Sequence, residues 1–175
     1  QHNRNGLLGK DPSADGIKTG HTDSAGYCLV GSAKREGMRL ISVVMGATSD
    51  GARTRASQAL LNYGFRFYET RKLYEDNATV TDARIWFGDR ETVKLGAAPG
   101  SAAITFPRGQ YDKLKASVVL PARLEAPVKA GQSMGTAQVE LDGKQVASIP
   151  LVALESVEEG SLASRWIDRA KLMMQ

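Results

Sequence analysis

Lys18, Thr19, Gly20 and His21 follow one another without a break inside DGIKTGHTD, a polar, glycine-punctuated stretch at residues 15–23. On an extended strand at a sheet edge, these residues would set an ammonium, a hydroxyl and an unencumbered backbone in one short row. Such a strand can pair with an extended peptide, and the missing side chain at Gly20 lets a partner backbone come close. Lys18 would bring positive potential and a hydrogen bond to a neighbouring serine hydroxyl, while the Thr19 hydroxyl suits a carboxylate. The backbone N–H of His21 can face a carbonyl oxygen and stabilise an oxyanion, a role independent of the imidazole. On the tripeptide alone, a turn leading into a strand is the commoner explanation.

The elements that would have to position this row follow directly. YCLVGSA (27–33) and MRLISVVMGA (38–47) are β-branched, apolar runs separated by KREG, which predicts an antiparallel hairpin, with the motif leading into or forming a strand beside it. TSD then supplies capping residues before a helical stretch in which Ala56, Leu60, Tyr63 and Phe67 recur at helical spacing. That stripe is expected to pack on the sheet. Strands closed by a helix suggest the closing part of an α/β or α+β domain.

Beyond residue 70 the texture changes to short alternating runs: 83–87, 92–96, 102–107, 115–121 and 136–154, broken by Gly, Pro and Asp. They predict a small all-β module, with Asp142-Gly143 as a two-residue hairpin turn because both central positions want positive φ. The boundary is placed near residues 70–75. In the tail, Leu162, Trp166, Ala170 and Met173 share one helical face with Arg165, Arg169 and Lys171 nearby. This pattern fits either an interfacial membrane helix or a surface helix packed on its own β module.

The chain has 175 residues, 42% hydrophobic and 24% charged, enough for one ordinary domain or two small ones. A net charge of +4 is mild, and the basic residues are interspersed with acidic ones, which argues against nucleic acid as a partner. Cys28 is the single cysteine, so no internal disulfide or thiolate metal site can form, and its apolar run predicts a buried, inert thiol. His2 and His21 with Asp15 or Asp23 give no recognisable ligand or triad spacing. No run of roughly eighteen apolar residues is present to span a membrane. The chain opens without Met and is expected to begin inside a longer protein.

The run from DGIKTGHT through AGYCLVGSA and MRLISVVMGA to GFRFYE resembles the end of the penicillin-recognising domain of serine-type D-alanyl-D-alanine carboxypeptidases, the low-molecular-mass penicillin-binding proteins. APVKAGQSMGTAQVELDGKQVASIPLVALESV is similar to the β-rich C-terminal domain of that family, and the tail to its membrane-associating amphipathic helix. The resemblance implies an α+β fold class. The closing strands and helix of a transpeptidase-like catalytic domain (1–70) would be followed by a small all-β domain (71–157) and an amphipathic tail (158–175).

The resemblance also implies roles for single residues. Lys18, Thr19 and Gly20 occupy the family's Lys-Thr-Gly strand, His21 the position whose N–H forms part of the oxyanion hole, and Arg53 that of an arginine binding the substrate's terminal carboxylate. The reaction implied is removal of the terminal D-Ala of a peptidoglycan stem peptide through a serine acyl-enzyme, with β-lactams acylating the same serine. The serine motifs of the family precede Lys-Thr-Gly and are not found upstream of Lys18, so a preceding catalytic segment is the expected partner and residues 1–175 alone are expected to be inactive. No metal or organic cofactor is expected. The implied location is the periplasm, on the outer face of the inner membrane. The reading from another class is a noncatalytic β-rich module that binds a protein or spaces a partner from a membrane.

Overall fold

A computed structural model describes residues 3–173. His2, weighed above as a ligand, lies outside them, as do Met174 and Gln175 of the tail. Among the described residues the structure is mixed but mostly β, with two α-helices, and the chain divides into two units. The first runs to Thr70 and includes Thr105–Gly109; the second comprises Arg71–Ile104 and Gln110 onward.

In the first unit β1 (Ala14–Thr22), β2 (Gly26–Arg35) and β3 (Met38–Ala47) form an antiparallel sheet in the order β1-β2-β3, so the Lys-Thr-Gly row lies on an edge strand. Glu36 and Gly37 turn the β2–β3 hairpin, both at positive φ. Helix α1 (Asp50–Phe67) starts at Ser49, whose hydroxyl accepts from the Ala52 N–H at 3.1 Å. The core beneath it gathers Leu7, Leu29, Ala33 and Leu61.

The face that α1 buries differs from the expected stripe. Leu60, Tyr63 and Phe67 are 51, 58 and 47% exposed, and Ala56 is exposed too; the buried positions are Arg53, Thr54, Ser57 and Leu61. The cause is the close approach of helix and sheet. A Cβ on Gly31 would lie 2.7 Å from both Leu7 Cδ1 and Ser57 Oγ, and one on Gly64 would lie 2.4 Å from Leu40 Cδ1. Small and polar residues therefore take the contact, sealed by a hydrogen bond between the Ser42 and Ser57 hydroxyls. Tyr63 and Phe67 pack against one another at a tilt outside it, ring centroids 4.7 Å apart.

β4 (Tyr68–Lys72), which the alternation did not predict, pairs with β7 (Ala103–Pro107) in a ribbon that supplies residues to both units. In the second unit β5 (Thr81–Arg84), β6 (Thr92–Ala97), β8 (Leu114–Val119), β9 (Ser133–Leu141) and β10 (Lys144–Ala153) form a sheet ordered β5-β6-β10-β9-β8. Asp142 and Gly143 turn β9 into β10 with φ of 49° and 77°, as their sequence predicts. Val93, Leu95, Val139, Ile149 and Leu151 alternate into its core.

Helix α2 (Leu162–Met173) buries no residue. Leu162, Trp166 and Met173 are 76, 69 and 81% exposed. The helix is held by its polar edge: Asp168 accepts from the Phe87 N–H at 2.8 Å and from Arg84 at 3.4 Å. Among the described residues no helix is long and apolar enough to cross a membrane.

Candidate functional site

The Lys-Thr-Gly row is extended because β1 pairs with β2 along its whole motif, Lys18 opposite Val30, Thr19 opposite Leu29, Gly20 opposite Cys28 and His21 opposite Tyr27. Asp15 near the start of the strand is paired with Arg39 of β3 at 2.7 Å, and Arg39 also donates to the Ser32 hydroxyl of β2, so one guanidinium ties all three strands together. Hydrogen bonding from Arg39 holds the Asp15 carboxyl down at about 2. At the other side Asn5 donates to the Gly16 carbonyl at 2.8 Å and accepts from the Leu7 N–H, fixing the incoming chain against β1.

Alternation along the strand separates the four motif residues. Thr19 and His21 share the face of Leu29, on which α1 packs, and Thr19 is buried. Lys18 and Gly20 belong to the opposite face with Cys28 and Val30. The structure thus brings Thr19, Gly20, His21 and Arg53 around one open cavity of about 300 Å³, while Lys18 is not among its lining residues. Lys18 is an exposed residue, and its ammonium donates to the carbonyl of Thr19 at 2.8 Å.

Arg53 is 4% exposed. Its Nη1 donates to the carbonyls of Gly20 at 3.1 Å and Cys28 at 3.2 Å, and its Nη2 pairs with the Asp50 carboxylate. Its Nε has no hydrogen-bond partner. The guanidinium also lies 5.5 Å from the Tyr27 ring centroid, and that ring packs on the His21 imidazole at 4.0 Å. Arg53 therefore reaches the motif strand itself, where sequence reasoning alone would have left it a solvated helix residue.

Three residues that share the cavity were missed by the sequence reasoning: Arg4, Tyr27 and Asp50. The signals available were slight, an arginine flanked by asparagines, an aromatic residue opposite His21 in the hairpin register, and an acid in the first helical turn. Cys28 departs from the expected buried thiol. It is free and partly exposed, because it lies opposite the side-chain-less Gly20 at the sheet edge. Among the described residues no group of His, Cys, Asp and Glu is arranged to hold a metal.

An edge strand carrying Lys-Thr-Gly, backed by a hairpin and an arginine-bearing helix, is the layout expected of a penicillin-recognising domain's closing part. The family described as D-alanyl-D-alanine carboxypeptidase matches residues 1–49, and that described as penicillin-binding protein 5, C-terminal domain, matches residues 68–159. The chain belongs to the penicillin-binding protein 5 family of D-alanyl-D-alanine carboxypeptidases, whose C-terminal portion it matches.

Among curated relatives, D-alanyl-D-alanine carboxypeptidase DacC of Escherichia coli (strain K12) is 47% identical over 167 residues, covering 94% of this chain and 42% of the relative. D-alanyl-D-alanine carboxypeptidase DacA of the same strain is 45% identical over 175 residues, covering 99% and 43%. The crystal structure of penicillin binding protein 5 from Haemophilus influenzae superposes with a TM-score of 0.80 at 43% identity, over 91% of this chain and 47% of that one. The chain thus spans less than half the length of these relatives.

Proposed function

We propose that the whole protein is a serine-type D-alanyl-D-alanine carboxypeptidase that removes the terminal D-Ala of peptidoglycan stem peptides and binds β-lactams. The observation that carries this reading is the Lys18-Thr19-Gly20-His21 row on the free edge of β1, with Arg53 bonded to the same strand. An extended stem peptide would add to that edge as a further strand, its backbone admitted by Gly20. A serine supplied from outside residues 1–175 would attack the penultimate carbonyl; its O–C bond forms, the C–N bond breaks, and the terminal D-Ala leaves as an amine that takes up the serine's proton. Water then hydrolyses the serine ester.

In this scheme the N–H of His21 donates to the oxygen that becomes negative at the tetrahedral stage. Lys18 turns from the Thr19 carbonyl toward the serine hydroxyls and stabilises the proton transfers electrostatically. Thr19 and the Nη2 side of Arg53, displacing Asp50, bind the terminal carboxylate. In domain terms, residues 1–70 close the catalytic domain and 71–157 form the β-rich domain. The outward stripe of Leu162, Trp166 and Met173 on the 158–175 tail meets the outer face of the inner membrane from the periplasm.

Labelling by a fluorescent penicillin tests the catalytic reading. The whole protein should be labelled, and Lys18→Ala should reduce the acylation rate by about 100-fold or more. Labelling of Lys18→Ala at the rate of the unaltered protein would refute the role given to Lys18.

A further inference from the structure

The carbonyl that Arg53 holds is one end of the peptide whose other end is the proposed oxyanion donor. Gly20 C=O and His21 N–H share one planar peptide, and in a trans peptide the two bonds point in opposite directions. A guanidinium fixed on the Gly20 oxygen at 3.1 Å therefore fixes the direction of the His21 N–H on the far side of the strand. The same nitrogen holds the Cys28 carbonyl on the neighbouring strand at 3.2 Å, so the peptide plane is anchored against β2 as well.

The β1–β2 ladder holds this peptide from one side, Gly20 lying opposite Cys28 and His21 opposite Tyr27, but side-chain packing adds little. Gly20 has no side chain, and a Cβ built there would touch only the Cys28 Cβ, at 4.0 Å. Side-chain packing over the peptide is thus thin at the position where its plane matters most, which leaves the ladder and the guanidinium to set it. A buried guanidinium bonded to a carbonyl also withdraws electron density through the amide, which makes the N–H at the other end a stronger donor. Arg53 is itself locked: it is 4% exposed, it sits in the first turn of α1, and Asp50 three residues earlier takes its other nitrogen.

We propose that Arg53 is the positioning residue of the oxyanion-binding peptide, acting through the Gly20 carbonyl and independently of any substrate carboxylate. The inference rests on the carboxypeptidase reading above, and it divides the guanidinium into two ends. Nη1 serves the backbone in the free protein as well as with substrate. Nη2, held by the half-exposed Asp50, is the end a carboxylate can claim.

The two roles separate with two acyl donors, compared in the whole protein. One is a peptide ending in D-Ala-D-Ala, which presents a terminal carboxylate. The other is a thioester of an acyl-D-alanine whose leaving thiol carries no carboxylate; the serine oxygen bonds to the acyl carbon, the C–S bond breaks and the thiolate takes up the proton. Positioning predicts that Arg53→Ala lowers kcat on the thioester by about 10–100-fold, with KM within about threefold, because the misaimed N–H acts only at the tetrahedral stage. Arg53→Lys, which keeps the charge but loses the rigid planar fork, should recover only part of that rate.

Unchanged kcat on the thioester in Arg53→Ala, with loss confined to the peptide, would overturn the positioning role and leave carboxylate binding as the whole of Arg53's part. The amide proton resonance of His21, followed by NMR without any donor, gives a readout apart from turnover. It should shift in Arg53→Ala and stay near its original position in Lys18→Ala. If the unaltered protein turns over neither donor but the resonance shifts, the positioning stands and the carboxypeptidase reading falls. A resonance that stays in place overturns the positioning even in an active enzyme.

Discussion

The two helices face the same physical problem and solve it to different depths. Both carry an outward apolar stripe, Leu60, Tyr63 and Phe67 on α1 and Leu162, Trp166 and Met173 on α2, and both attach through polar groups. α1 has eighteen residues, buries Leu61 at 1% exposure, and is pinned through Gln58 to Asp11, which is 6% exposed. α2 has twelve residues, buries nothing, and is pinned through Asp168 to the Phe87 N–H. A carboxylate anchor over a small core makes an element that folds with its sheet. The same anchor with no core leaves an element whose helicity depends on the anchor itself.

The largest effect should come from the core that only α1 possesses. Leu61→Ala in residues 1–175 is expected to cost about 2–5 kcal/mol, whereas Leu60→Ala, half exposed on the next position, should stay within about 0.5 kcal/mol. Urea unfolding of the two variants decides it, and equal losses would show that the outward stripe of α1 is also load-carrying. Asp11 should come next. Burial alone would raise its pKa, but hydrogen bonds from Gln58, Ser13 and Arg35 outweigh it and hold the carboxyl well below the usual carboxylate range.

The sign follows from that lowered pKa. The folded carboxylate is favoured, so its stabilisation is complete above the unfolded value near about 4 and is lost as pH falls from there through the lower folded value. Asp11→Asn is therefore expected to cost about 1.5–3 kcal/mol at pH 7, and the gap to the unaltered chain should narrow below about pH 4. Urea midpoints measured between pH 7 and pH 3 check it; a gap that widens in acid would contradict the anchor.

What was legible beforehand is what is encoded locally. The β2–β3 hairpin and the Asp142-Gly143 turn follow from β-branched runs and from residues tolerant of positive φ, so a few neighbouring positions suffice. The motif strand was less legible: its own residues left a turn or a strand open, and the resemblance of the wider run is what placed Lys18, Thr19 and Gly20 on a strand. The buried face of α1 was not legible, because periodicity counts apolar residues, while contact at Gly31 and Gly64 selects small ones from a partner element. β4 was missed because YETRK has no apolar alternation. The hold of Arg53 on Gly20 was hidden for another reason: a backbone carbonyl leaves no mark in the sequence, and the two residues are 33 positions apart.

α2 offers the smallest change in global stability and the sharpest test of the comparison. A helix of twelve residues is marginal in water, and elsewhere a packed apolar face makes up the deficit. Here that face is exposed, so the attachment rests on Asp168, with exposed pairs Arg165–Glu159 at 2.7 Å and Lys171–Glu91 at 3.7 Å adding little. The start of the tail is also fitted closely: the Gly160 N–H donates to the Phe87 carbonyl at 2.8 Å, and a Cβ on Gly160 would lie 2.4 Å from the Gly88 oxygen. Phe87, at a φ of 63°, thus presents its N–H to Asp168 and its carbonyl to Gly160. Asp168→Ala should lower hydrogen-exchange protection across 162–173 by about tenfold while the urea midpoint hardly moves. Adding vesicles rich in anionic phospholipid should restore protection in the variant, since a bilayer surface then supports the stripe of Leu162, Trp166 and Met173. Protection unaffected by Asp168→Ala would mean that α2 is not held by its carboxylate. Protection that falls and is not restored by lipid would leave the anchor standing and remove the membrane from the account of the tail.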